Sequence, residues 1–78
     1  MENSELDYLN RLKARAEEIY EEMYEASSPV GAGAYFSEVK EVLNKAINVA
    51  RRMGLEYEVK EIKKRLEHMR KVYQSHMQ

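Results

Sequence analysis

Apolar residues recur alternately three and four apart in three stretches of this chain. They are Leu9, Leu12, Ala16, Ile19, Met23 and Ala26; then Val39, Val42, Ala46, Val49 and Met53; then Leu55, Val59, Ile62, Leu66, Met69 and Tyr73. That spacing returns side chains to one face of a 3.6-residue turn, so each stretch reads as an amphipathic helix whose stripe must be buried against the others. The expected architecture is all-α: a three-helix bundle in one domain covering residues 1–78, with helices at about 4–26, 37–53 and 56–76.

The punctuation between the stripes sets their limits. Ser4 and Asp7 fit the S-x-x-[DE] capping pattern, and Glu5 and Asp7 stand where the helix dipole favours anions. Ser27-Ser28-Pro29 stops the first helix, because proline cannot continue an interior turn and biases the residue before it away from helical angles. From Ser27 to Phe36 the chain reads as a small, apolar, uncharged loop, and Ser37 as the N-cap of the second helix. Arg51 and Arg52 complement the negative end of that helix, and Gly54 supplies a left-handed position after it, with Leu55 placed to meet Ala50. So short a junction makes helices two and three an antiparallel hairpin. The second helix also carries the row Leu43, Ile47 and Ala50 beside its main stripe. Its apolar face is nearly doubled, which marks it as the central helix.

Size and charge limit what holds this bundle together. Chains this short bury only about 60–65% of their unfolded surface. Cysteine is absent, so no disulfide can compensate. Close helix packing or pairing of copies must then supply the margin, and a homodimer with coiled-coil-like packing is expected. No run of 18 apolar residues exists, and Met1-Glu2-Asn3-Ser4-Glu5 is not a basic and then apolar leader, so a cytoplasmic protein with no membrane partner is expected. Charged residues make up 35% of the chain, nearly all of them Glu, Lys and Arg, which fits a thermophilic source. A melting midpoint near 50 °C, within the mesophile range of about 45–65 °C, would count against that.

The net charge of −1 conceals an asymmetry. Residues 1–27 carry eight acids and three bases, whereas residues 51–78 carry four acids and eight bases. The simplest use is internal, with the acidic first helix lying beside the basic third.

The stretch from Gly33 to Gly54 resembles the second helix of a tetratricopeptide repeat and its lead-in, through Phe36, Val39, Leu43 and the pair Ala46-Ile47. The order of helices is also similar to a microtubule-interacting-and-transport domain, a three-helix bundle of like length. Either resemblance implies a scaffold that binds a peptide or helix and catalyses nothing.

No constellation for chemistry emerges from the remaining residues. His68 and His76 are eight apart, and neither has a second histidine or a glutamate at metal-ligand spacing. Glu17, Glu18, Glu21, Glu22 and Glu25 read as a solvated face, since a catalytic carboxylate needs burial or a close partner to shift its pKa. Gly31-Ala32-Gly33 is not a phosphate loop, because Phe36 occupies the third glycine position of G-x-G-x-x-G and no Gly-Lys-Ser/Thr follows. The expectation is a non-enzyme with no cofactor, metal or small-molecule substrate. Its candidate protein interface is Tyr20, Tyr24, Val30, Tyr35 and Phe36, a tyrosine rim continued by the loop. The alternative is a nucleic-acid accessory protein using Lys60, Lys63, Lys64, Arg70 and Lys71 of the third helix.

Overall fold

The computed structural model describes residues 4–76, which form three helices: α1, Ser4–Glu25; α2, Pro29–Arg52; and α3, Glu56–His76. Ser4 is the first described residue and is already helical, so the start of α1, and with it the expected cap, lies outside the described residues. Among the described residues there is no strand, and no helix is long and apolar enough to cross a membrane.

Helix α2 departs from the expected second helix by two full turns at its start. Residues 29–36, expected as loop, are helical, and the connection from α1 shrinks to Ala26, Ser27 and Ser28. Pro29 does end α1, but it also opens α2. Its missing N–H is one of the amides left unbonded at a helix start, and its fixed φ suits the first turn. Ser28, with φ −132° and ψ 150°, is the N-cap in place of Ser37. Its Oγ accepts from the Gly31 N–H at 3.2 Å, and its carbonyl accepts from the Ala32 N–H at 3.0 Å. The two glycines each cost a helix about 1 kcal/mol relative to alanine. Packing offsets that cost, because Ala32 and Phe36 from the same turns are buried.

The α2–α3 junction follows the sequence closely. Gly54 has φ +73°, its N–H donates to the Arg51 carbonyl at 3.0 Å, and the Leu55 N–H donates to the Ala50 carbonyl at 2.9 Å. These paired bonds are the Schellman closure of a helix end. Leu55 then accepts from the Val59 N–H at 3.1 Å, so one residue both closes α2 and starts α3.

Helix α2 lies between the other two. Among the described residues the buried core draws eight from it (Ala32, Phe36, Val39, Leu43, Ala46, Ile47, Val49 and Ala50), four from α1 (Leu9, Ala16, Ile19, Met23) and two, Ile62 and Met69, from α3. The backbones of α1 and α3 approach each other at few points, and both pack chiefly on α2. The result is a flat, elongated body with extents of 46 × 19 × 13 Å. Among the described residues no charged or polar side chain is buried.

Candidate interaction site

Stepping 100° per residue around α1 puts Lys13, Glu17, Tyr20 and Tyr24 on the edge that turns toward α3. Side chains bridge the gap that the two backbones leave. Arg65 of α3 forks onto Glu17, Nε to Oε2 at 2.8 Å and Nη2 to Oε1 at 2.7 Å, while Lys13 reaches Glu58 at 2.8 Å. The Arg65 guanidinium also lies 5.1 Å from the centre of the Tyr20 ring, a cation–π contact. Its hydrogen bonds hold the Glu17 carboxyl below the usual glutamate range; partial burial opposes this, and the charges of Arg65 and His68 add to it. The same bond raises the Arg65 pKa further. The expected pairing of acidic and basic helices is present, but Lys13–Glu58 runs in the opposite sense. Among the described residues, Asp7, Glu21, Glu22 and Glu25 have no ion-pair partner.

Tyr20 is thus half-buried and fixed from below. Tyr24, one turn on, meets it edge to face, with centroids 6.5 Å apart and planes at 61°. Tyr24 is 58% exposed and borders an open depression of about 420 Å³ lined also by His68, Lys71, Val72 and Ser75.

The other three residues of the expected interface lie elsewhere. Phe36 is 5% exposed and belongs to the core, a correction that follows from α2 starting at Pro29. Its ring stacks on Tyr73 at 4.7 Å and 13°, and Gly33 allows this approach, since a side-chain carbon there would stand 3.1 Å from the Tyr73 hydroxyl. The Lys40 ammonium and the Arg70 guanidinium flank the Phe36 ring at 5.4 and 5.9 Å. Val30 is 85% exposed on the first turn of α2. Tyr35 is half-buried beside Glu22, Glu25 and Ser28, in a different depression from that of Tyr24.

The basic residues of α3 also divide. Lys60 and Lys63 share a groove with Arg51, Gly54, Leu55, Glu56 and Val59, about 420 Å³ in volume. Lys64 pairs with Glu61 at 3.6 Å and Arg70 with Glu67 at 3.4 Å, one turn away in each case. Lys71 belongs to the Tyr24 depression. Sequence reasoning missed Arg51, Leu55 and Val59 as groove residues, because Arg51 read only as a helix-end charge and Leu55 and Val59 only as positions of the apolar stripe. It also missed Arg65, although Glu17 and Tyr20, three apart on one helix edge, form a natural seat for a guanidinium.

Among the described residues no group of three His, Asp or Glu side chains could hold a metal ion. His68 is exposed, and the side chain of His76 lies outside what is described. The chain matches no family model, no curated protein and no solved structure.

Proposed function

We propose that this chain is a small non-catalytic protein-interaction module that associates with itself, working in the cytoplasm. The observation that carries the reading is Tyr24, an aromatic side chain left 58% exposed above a braced Tyr20 and beside an open depression with an apolar wall at Val72. Aromatic residues on rigid elements are enriched at protein interfaces because they bury a large area at little entropic cost. A flat body whose α3 adds two residues to the buried core also gains from further burial. The helical-scaffold resemblance points the same way.

Sedimentation of the wild type and of Tyr24→Glu between about 1 and 100 μM, a range that brackets weak specific contacts, tests the reading. Self-association that rises with concentration in the wild type and falls at least tenfold in the variant is expected. A wild type that stays monomeric over the whole range overturns it. The nucleic-acid reading has one specific support, the cluster of Arg51, Lys60 and Lys63 around one groove. Retention on random DNA or RNA at about 50 mM salt, where phosphate contacts are strongest, decides that alternative.

A further inference from the structure

We propose that the groove at the α2–α3 junction receives the Tyr24 edge of α1 from a second copy of the chain, in a head-to-tail contact. This rests on the self-association reading and names its two surfaces. The groove is open, its floor is the half-buried pair Leu55 and Val59, and Arg51, Lys60 and Lys63 stand around it. None of these three bases has an ion-pair partner among the described residues, and Glu56 is the single acid on the wall.

The opposite surface is on the same molecule. Glu21, one turn before Tyr24, and Glu25, one turn beyond Glu21, lie together on the outer side of Tyr24, so an exposed ring is bordered along one edge by two carboxylates. Neither carboxylate has an ion-pair partner among the described residues. An aromatic side chain with acids along its outer edge matches an apolar floor with bases around it, and such complementarity fixes register and speeds encounter. His68 and Lys71 border the inner side of Tyr24, toward α3, and the acids its outer side.

A molecule cannot satisfy its own groove. Tyr24 lies level with Val72, thirteen residues beyond Val59 on α3, or about 20 Å along the helix. The two surfaces also lie on different sides of α3. In the head-to-tail form proposed, each copy offers one of each surface, so assembly extends into chains or closes into a ring; a two-fold pair would instead need each copy to fill the other's groove at once.

Complementary charge reversal tests this. Lys60→Glu with Lys63→Glu inverts the groove, and Glu21→Lys with Glu25→Lys inverts the α1 edge; all four side chains are exposed, and helical circular dichroism confirms that each variant folds. The wild type should associate at about 50 mM salt and dissociate as screening shortens the Debye length to about 3 Å at 1 M. Each variant alone should associate at least tenfold more weakly, and an equimolar mixture of the two should recover assembly. If both variants associate as the wild type does, the head-to-tail contact is overturned while self-association through another surface stands. If the wild type is monomeric throughout, both readings fall. Binding of random DNA that is lost only in the groove variant, with no self-association, assigns the groove to a polyanion instead and overturns the proposal.

Discussion

The two seams along α2 are built differently. On the α1 side, Leu9, Ala16, Ile19 and Met23 are fully buried, and Arg15–Glu38 at 3.6 Å and Arg52–Glu5 at 3.0 Å pin the rim at two levels. On the α3 side, among the described residues, Ile62 and Met69 alone are buried, and Leu55, Val59, Leu66, Val72 and Tyr73 pack as half-covered neighbours. There α3 is held near its ends, by the Gly54 turn at one and by the Phe36–Tyr73 stack at the other. Helix α1 lies close along the length of α2, whereas α3 is covered less and leaves a groove open beside the turn. The difference explains why the open apolar-and-basic surface belongs to the α2–α3 edge.

Removing the ring is the sharpest way to break this contrast. Phe36→Ala deletes the stack on Tyr73 and the seat of two cations, and should cost about 3–5 kcal/mol. It should also free the end of α3 first. Hydrogen exchange would then show α3 amides near Met69 losing protection more than α2 amides near Val49. Ile19→Ala, on the other seam, should cost about 2–5 kcal/mol but lower protection in α1 and α2 together. Equal loss in all three helices for both variants would mean that the seams do not differ in cooperativity.

The helix count, the breadth of α2 and the Gly54 turn were legible in the sequence because each rests on local rules of period and chirality. The first two turns of α2 were not. Pro29, Gly31 and Gly33 each read as a breaker, yet Ala32, Phe36, Val39, Leu43, Ala46 and Ala50 continue one face at spacings of four and three. Tertiary burial of Ala32 and Phe36 outweighed the glycine penalty, and weighing that row against the punctuation could have revealed it. Of the candidate interface, Tyr20 and Tyr24 were legible as a helix edge. Phe36 was misplaced with the loop that does not exist, and the groove depends on how the end of α2 meets the start of α3.

A smaller effect should follow from Gly54→Ala. Its φ of +73° is unfavourable for an L-residue with a side chain by about 1–2 kcal/mol, and nothing lies near enough to a new methyl group to offset that. Because this turn anchors the start of α3, the loss should appear as a lower urea midpoint together with weaker protection at Val59 and its neighbours. A midpoint unchanged from the wild type would show that the groove end of α3 is held by contacts other than the turn.

The seam between α1 and α3 should give the smallest effect, and it has a definite sign with pH. The hydrogen bonds from Arg65 lower the Glu17 pKa below its ordinary 4.5, so the folded protein binds a proton there less readily than the unfolded chain. Stability from this pair is therefore fully present above about 4.5 and is lost as pH falls through the lower, folded value. Arg65, raised above its own alkaline value, adds no change in that window. Both side chains are close to half exposed, at 48% and 40%, and solvent screening keeps the pair to about 0–1 kcal/mol. Glu17→Gln should flatten the acid limb of stability against pH by that amount. Urea midpoints of wild type and variant, compared from pH 7 downward, measure it. A difference between them that grows as pH falls would reverse the sign and remove the Arg65 fork as the closure of this seam.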